Sequence, residues 1–431
     1  MIMKIAIFED QFVSNLNPLT LTRPSFDLRC GPSLLYEKVS KAFPNESLYL
    51  FMREELCEVF TAKTQHKEKV KAVNDLKALE GDDVLFLNGR WIVDKSLISE
   101  GEEVVATRGD AVVYAYLKKT TVKKALENSD SIEKLLSWAR KEVGEKEVDA
   151  AGLINYPWDL VNQNPEEIKK EFKEFKRLGG VSPKEFRGLE IVGSEEDVFI
   201  AKGARIYPNV VFDTSGGPVI VDEGAIIFPF SVVFGPSYIG KDSWIVGGKI
   251  REGMTIGPVC RVGGEVEESI IHGYSNKYHD GFLGHSYVGE WVNIGALTTT
   301  SDLKNDYSHV EVYVNGKLVD TGSIKVGSFI GDHTKTGIGT LLTTGTSVGV
   351  MCNLLSSGEP LPKYIPSFVW YVRGKMSKGL GLKATLETAK IVMSRRKVQM
   401  TEAEEKLFRR LYEETKEERE RLIRIHRARR R

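Results

Sequence analysis

Apolar side chains recur every six residues through the second half of the chain. Val221, Ile227, Val233, Ile239 and Ile245 form one run. Ile250, Ile256 and Val262 resume it after a one-residue slip, Phe282, Val288 and Ile294 continue it, and Ile330, Leu342 and Val348 close it, with Thr336 as its polar rung. Glycine often follows the rung, as in Ile239-Gly240, Ile256-Gly257 and Ile330-Gly331. Neither the 3.6-residue period of an α-helix nor the alternation of a strand produces six. A hexapeptide repeat winds a parallel β-helix, each coil burying its rung on the rung below. The ladder covers residues from about 190 to 350 and breaks between Ser301 and Gly322. Inside the break Val310 to Val314 alternates, Asn315-Gly316 supplies a two-residue turn and Lys317-Leu318-Val319 returns, which predicts a β-hairpin projecting from a coil.

The pattern before the ladder is of another kind. Lys4 to Phe8, Asp83 to Leu87, Val104 to Ala106 and Ala111 to Leu117 read as strands, and Ser33 to Ala42, Ser131 to Glu142 and Pro165 to Arg177 as helices. After the ladder, Pro360, Pro362 and Pro366 enclose Phe368 to Tyr371, read as an extended cap. Two helices follow, the second opening on the capping box Thr401 to Glu404 with Leu407, Phe408, Leu411 and Tyr412 in one stripe. Arg427, Arg429, Arg430 and Arg431 then sit at the negative end of the helix dipole, where a contact with an anionic ligand or RNA is the sharper alternative. The expected segments are an α/β domain over 1–165, a linker helix over 166–188, the β-helix over 189–357, and a cap with helices over 358–431.

Composition narrows the function classes. The chain has 41% hydrophobic and 28% charged residues and zero net charge, which gives no reason to expect nucleic acid as a ligand. No apolar run approaches the roughly 18 residues that span a bilayer. The N-terminus meets Glu9-Asp10 too soon for a signal peptide. The four cysteines show no CxxC spacing and read as free thiols, so the expectation is a cytoplasmic protein.

Candidate chemistry gathers near the break. Five of the seven histidines fall between His272 and His333, at spacings that match no metal box and with no evident carboxylate pair. His279 leaves the ladder just before Phe282, where an outward imidazole is suited to act as a general base; the plain alternative is a histidine that satisfies a turn. Lys277 offers a phosphate contact, and Asn293 and Thr298 to Asp302 lie on nearby coils.

The run His279-Asp280-Gly281-Phe282-Leu283-Gly284, with Val288-Gly289 and Asn293-Ile294-Gly295-Ala296 beyond it, resembles the acetyltransferase domain of GlmU-type enzymes. The likeness continues through Ser301 to Asp306 and Val326 to Asp332. It implies a left-handed β-helix that trimerises, with acetyl-coenzyme A as co-substrate and an amino-sugar-1-phosphate as acceptor. His279 then takes the proton of the sugar amine, Asn293 touches the amino sugar, and Ala296, Gly331 and Thr344 lie near the cofactor. Phe282 stands where the family has a sugar-binding tyrosine, Asp302 replaces an asparagine, Leu297 replaces the second glycine of NIGAG, and the family's phosphate-binding lysine aligns with Ser269. Arg251, Lys277 and Lys304 are the substitutes for it.

The N-terminal half resembles a shortened sugar nucleotidyltransferase through Thr20-Leu21-Thr22-Arg23-Pro24, Gly31-Pro32-Ser33 and Tyr156 to Leu160. That implies a Rossmann-like domain taking a nucleoside triphosphate and a sugar-1-phosphate with Mg²⁺. Thr22, Arg23, Arg29, Asn88 and Gly89 are the nucleotide-binding candidates. The glycine-rich phosphate loop is missing, and the Asp of Asn-Gly-Asp is Arg90 here, so Asp10 or Asp94 would have to stand in as metal ligand. The fold class expected is therefore an α/β nucleotidyltransferase domain, a left-handed parallel β-helix and C-terminal helices. The leading function is a bifunctional transferase in UDP-N-acetylglucosamine-type nucleotide sugar synthesis. The alternatives are a nucleotidyltransferase only (for example of glucose-1-phosphate with UTP or dTTP) or a non-catalytic scaffold.

Overall fold

The computed structural model describes residues 3–63, 69–99, 101–356 and 358–428. Arg429, Arg430, Arg431 and the side chain of Arg427 lie outside the described residues. The chain forms two compact units, one of Met1–Leu16, Thr22–Leu28 and Ser33–Asn155, the other of Asn17–Leu21, Arg29–Pro32 and Tyr156–Arg431.

The first unit is built on strands β1 (Met3–Phe8), β2 (Leu48–Phe51), β3 (Val70–Val73), β4 (Asp83–Asn88), β5 (Val104–Arg108), β6 (Ala111–Leu117) and β7 (Glu145–Glu147), in the order β3-β2-β1-β4-β6-β5-β7. β1 runs parallel to β2 and β4, while β6 is antiparallel to β4 and β5. Ile5, Ala6 and Ile7 are all buried, as befits a central parallel strand covered on both faces. Helices α1 (Leu35–Ala42), α2 (Glu54–Lys63), α3 (Lys119–Glu127) and α4 (Ile132–Val143) accompany the sheet. Val122 of α3 with Leu135 and Ala139 of α4 pack on Phe86, Val105 and Ala115. This is the Rossmann-like sheet expected.

The second unit is dominated by a left-handed β-helix with three faces. The first face runs from Leu189–Val192 to Phe282–Gly284, the second from Val198–Ile200 to Tyr364–Ile365, and the third from Arg205–Ile206 to Asn276–Lys277, all in parallel register. The third face continues through isolated bridges from Asn276 to Asn293 and from Asn293 to Lys335. Val221, Ile239, Ile256, Ile271, Val288, Ile330 and Val348 line the inside of the second face. Each such rung, fully buried, stabilises by roughly 1.5–3 kcal/mol.

The rungs differ from the sequence expectation at three places. On the first face the inward residue is Leu283, fully buried, while Phe282 points outward in register with Glu265. The slip arises because the coil shortens before it, placing the inward position five residues after Leu283 at Val288 rather than six. On the third face Lys277 is inward, between Val262 and the buried Ile294. Thr336 is therefore not the lone polar rung. Past residue 357 the coils go on: Tyr364–Ile365 pairs with Ser347–Val348, and Trp370–Val372 pairs with Asn353–Leu355 before Lys375–Ser377 turns back antiparallel. Phe368 to Tyr371 thus belongs to the solenoid rather than to an extended cap.

Helices cover part of this surface. The linker helix is longer than expected: α5 (Pro157–Leu178) starts with a proline in its first turn and holds Pro165 inside, so the internal proline that suggested a start is not one. Its Ile168 and Phe172 pack on Phe199, Ile220 and Tyr238 of the second face. The corner after the second face carries a stack of Tyr274, Trp291 and His333, and α7 (Glu402–Glu414) sets Phe408 against His333 and Tyr412 against Phe368. α6 (Gly381–Ser394) and α8 (Lys416–Ala428) flank it in sequence. The hairpin Glu311–Val314 with Lys317–Asp320 projects from the solenoid as the alternation and Asn-Gly turn required. All four cysteines are free; Cys260 and Cys352 sit inside coils, where burial pushes their thiols up to about 12.

Candidate functional site

His279 stands on the corner between the third and first faces. Its side chain is exposed and its ring meets that of Tyr278, with centroids 5.1 Å apart. The backbone beneath it is anchored from inside the solenoid. Lys277 Nζ donates to the carbonyl of His279 at 2.6 Å and to that of Gly263, one coil away, at 3.0 Å. Lys277 is 2% exposed, and burial pushes its ammonium down to about 8. It is not the outward phosphate contact expected from its place beside His279. An aliphatic stem that fills a rung and a head group that reaches backbone carbonyls is how a solenoid accommodates a buried lysine. Asn293, one coil on, is exposed and accepts a hydrogen bond from Asn276 Nδ2 at 3.3 Å. Ala296 lies at the same corner as His279, its carbonyl accepting from Gly339 N at 2.8 Å. Leu297 adopts φ 59 there and is exposed beside it.

A second cluster lies at the next corner, beyond the short strand Phe282–Gly284. His285 Nδ1 meets Asp302 Oδ2 at 2.7 Å, and its Nε2 meets Glu268 Oε2 at 3.1 Å. Glu267 is 3.9 Å from the same ring, with Lys325 at 3.8 Å and Arg251 at 4.0 Å from its carboxylate. The expected absence of a carboxylate pair is corrected here. Glu268, His285 and Asp302 are each 17 residues apart, one coil, so stacking joins what local spacing leaves unconnected. Glu267, His285 and Asp302 have ligand atoms within 4.8 Å of one another, but the imidazole already bridges two carboxylates. Burial opposes a charge on His285, yet the bonds from Asp302 and Glu268 outweigh it and push the imidazole up to about 9. His285 in turn holds Glu268 below the usual carboxylate range.

A histidine whose value rises on folding contributes stability that is whole below its unfolded value of about 6.5 and is lost as pH climbs through about 9. Glu268, shifted the other way, gives up its share in acid. Lys277, pushed down to about 8, acts in the opposite direction over the same range, in the parent and in a His285 variant alike. The His285 share is therefore read as a difference: His285→Gln is expected to cost about 2–3 kcal/mol near neutrality, with the gap to the parent closing between pH 7 and 9.5. Thermal melts across this range check it; matching alkaline limbs in both proteins would remove the cluster as the cause.

The remaining acyl-site candidates do not all converge on His279. Arg251 is engaged by Glu252, at 3.2 and 3.1 Å, and lies with Asp302 at the His285 corner. Lys304 donates to Ser308 Oγ at 3.0 Å and to the His309 carbonyl within the projecting insert. Gly331 is a packing position: a Cβ there would come within 2.8 Å of the Gly349 backbone on the next coil. Thr344 is buried, and its carbonyl accepts from Lys363 at 2.9 Å.

In the first unit, a crevice of ≈ 820 Å³ opens where β1 and β2 end, lined among others by Glu9, Asp10, Met52, Arg53, Asn74 and Ser131. Ligands of open α/β sheets bind outside the carboxyl ends of such strands. Arg90, fully buried, grips Asp10 with two nitrogens at 2.8 and 2.6 Å and also donates to the Ile154 carbonyl and to Asn155 Oδ1. Asn88 Nδ2 donates to Asp10 at 2.8 Å, and Gly89 packs on Phe26 too tightly for a Cβ. Asp94 caps a short turn through Ser96. Neither carboxylate proposed as a magnesium ligand fits the ion: Asp10 is committed to a guanidinium and Asp94 to a backbone N–H. Thr22 and Arg23 are buried in this unit, the Arg23 carbonyl accepting from Arg53 at 3.2 Å. Arg29 belongs to the other unit, where its backbone N–H donates to Tyr287 Oη at 2.9 Å and its guanidinium to the carbonyls of His272 and Pro32.

Residues 5–178 match the sugar nucleotidyl transferase family. A bifunctional sugar-1-phosphate nucleotidylyltransferase/acetyltransferase of Sulfurisphaera tokodaii is 26% identical over 366 residues, covering 80% of this chain and 81% of that protein. A bifunctional protein GlmU of Methanococcus maripaludis strain C7 is 27% identical over 78% of this chain and 89% of its own length. A GlmU of Methanocaldococcus jannaschii is 28% identical over 34% of this chain and 36% of its own. No helix among the described residues is long and apolar enough to cross a membrane.

Proposed function

We propose, from the premise that the chain is a divergent GlmU-like transferase, that it N-acetylates an amino-sugar-1-phosphate in the second unit and transfers a nucleotide to a sugar-1-phosphate in the first. The exposed His279 imidazole on a corner pinned by Lys277 carries the acyl half. The amine nitrogen of the acceptor attacks the thioester carbonyl of acetyl-coenzyme A. The new C–N bond forms as the C–S bond breaks, His279 takes the amine proton, and the proton passes on to the leaving thiolate. Asn293 orients the acceptor, and backbone N–H groups near Ala296 receive the developing oxyanion. In the first unit the crevice at the ends of β1 and β2 is the nucleotide pocket, with no step assigned to a metal held by Asp10 or Asp94.

The test incubates the full chain with acetyl-coenzyme A and glucosamine-1-phosphate and follows free thiol. A parallel reaction with UTP or dTTP and a sugar-1-phosphate follows pyrophosphate. Thiol and pyrophosphate are both expected. Pyrophosphate alone would favour a nucleotidyltransferase on a β-helix platform, and neither would favour a scaffold.

The open His279 corner also bears on assembly. Phe230 is 78% exposed, Ile338 77% and Leu297 58%, whereas α7 covers the Trp291 corner. A column of exposed apolar residues on a prism is an interface signal, and the active assembly is a trimer of prisms meeting at this corner. Leu297→Glu is expected to shift the mass by light scattering from trimer to monomer and to lower thiol release with it. An unchanged mass would remove this corner as the interface.

A further inference from the structure

The outward column of the third face carries Trp244, Arg261, Asn276, Asn293 and Lys335 in register. Arg261 is fixed flat over Trp244, 3.9 Å from the ring centroid, and its Nη1 donates to the carbonyls of Asp242 and Cys260. Arg396, just past α6, reaches the same column: its Nη2 donates to Asn276 Oδ1 at 2.9 Å, while its buried Nε has no partner. Lys335, half-buried, donates to the carbonyl of His333, two residues back, at 2.8 Å. Among the described residues no carboxylate pairs with any of these three cations. Elsewhere on this unit cations find acids, as Arg251 finds Glu252 and Lys241 finds Glu223. Burial, with Arg396 beside it, pushes Arg261 down to about 10, and burial alone pushes Lys335 down to about 8. Asp242 lies near enough to favour the Arg261 charge without pairing with it, and like charges gathered and partly dehydrated without a paired carboxylate are costly.

We propose that Arg261, Lys335 and Arg396, with the amides of Asn276 and Asn293, form a binding site for a phosphate-class anion on the third face. Two guanidinium groups and an ammonium supply charge-assisted donors suited to a phosphate or diphosphate, and the amides fix its orientation. The column contains Asn293 and lies one corner-turn from His279, so the anion belongs to a ligand of the acyl reaction. Its source is either the phosphates of the acyl carrier or the phosphate of the sugar acceptor, and this choice of ligands rests on the function proposed above.

Binding to the full chain is measured by calorimetry, with 3′,5′-ADP standing for the carrier's phosphates and glucosamine-1-phosphate for the acceptor. Lys335→Gln with Arg396→Gln is expected to weaken one of the two by roughly tenfold or more, with melting temperature as the check on folding. Arg395→Gln, an exposed neighbour that removes a charge without touching the column, is expected to leave both unchanged. A loss confined to 3′,5′-ADP assigns the site to the carrier, and a loss confined to glucosamine-1-phosphate assigns it to the acceptor. Affinities matching the Arg395→Gln control for both probes overturn the site. Lys335→Gln alone serves if the double variant melts early. Binding that depends on these residues in a protein with no acetyl transfer would sustain the site and sink the acyl function, so the two failures are distinguishable.

Discussion

Replacing His279 with alanine is expected to slow acetyl transfer by roughly 10²–10⁴-fold while leaving the melting temperature unchanged. The two halves of that expectation come from the same geometry. The imidazole is exposed and, among the described residues, makes no hydrogen bond or ion pair, so its removal costs the fold little. The loop's position is set instead by Lys277 through the His279 carbonyl, a contact the alanine variant keeps. Thiol release at saturating acetyl-coenzyme A is the readout, with the pH profile alongside. A variant as fast as the parent would dismiss His279 as the base; a slow variant that also melts early would make its role structural.

In the other unit the largest stability effect is expected from Asp10→Ala. Arg90 is fully buried and its charge is met by Asp10 alone among the described carboxylates, so truncating the aspartate leaves an uncompensated guanidinium in the interior. Breaking a buried pair in this way costs about 3–5 kcal/mol. Replacing both partners together, Asp10→Leu with Arg90→Met, is expected to cost much less, because no buried charge remains. Urea unfolding of the three proteins separates the cases. Equal losses in the single and double variants would mean that packing rather than charge is responsible.

Much of the architecture is legible from the chain because β-helix coils repeat locally. The six-residue spacing of Val221, Ile227, Val233, Ile239 and Ile245 marks the inward rungs directly, and Asn315-Gly316 marks the hairpin tip. Failures come where coils shorten. Around Leu283 the inward position moves by one residue, which turns Phe282 outward and draws Lys277 inside. A charged residue in a rung cannot be read from periodicity, since its acceptance depends on carbonyls of Gly263 and His279 that only the fold brings near. His285 was visible as a histidine, but its carboxylates stand a whole coil away on either side, at a separation the six-residue pattern does not single out. In the first unit the Arg90 substitution is plain in the sequence; that its guanidinium takes Asp10 required the strand ends to meet.

The projecting hairpin is joined to the solenoid through a narrow neck, where Leu303 bridges Lys325 and Val326 N donates to the Asp302 carbonyl at 2.8 Å. Everything beyond the neck can change in length without disturbing the stack, because the chain leaves and re-enters at one corner. A single residue gained or lost inside a coil has a different effect. Inside a strand it works like a frameshift: the residues up to the next corner move one step round the prism and inward rungs become outward positions, unless a corner takes up the change, as it does between Arg261 and Asn276, in register 15 residues apart where Trp244 and Arg261 are 17 apart. Large changes of length in this half of the molecule are therefore confined to such necked excursions, and they are where new surface can be added without rewriting the rest.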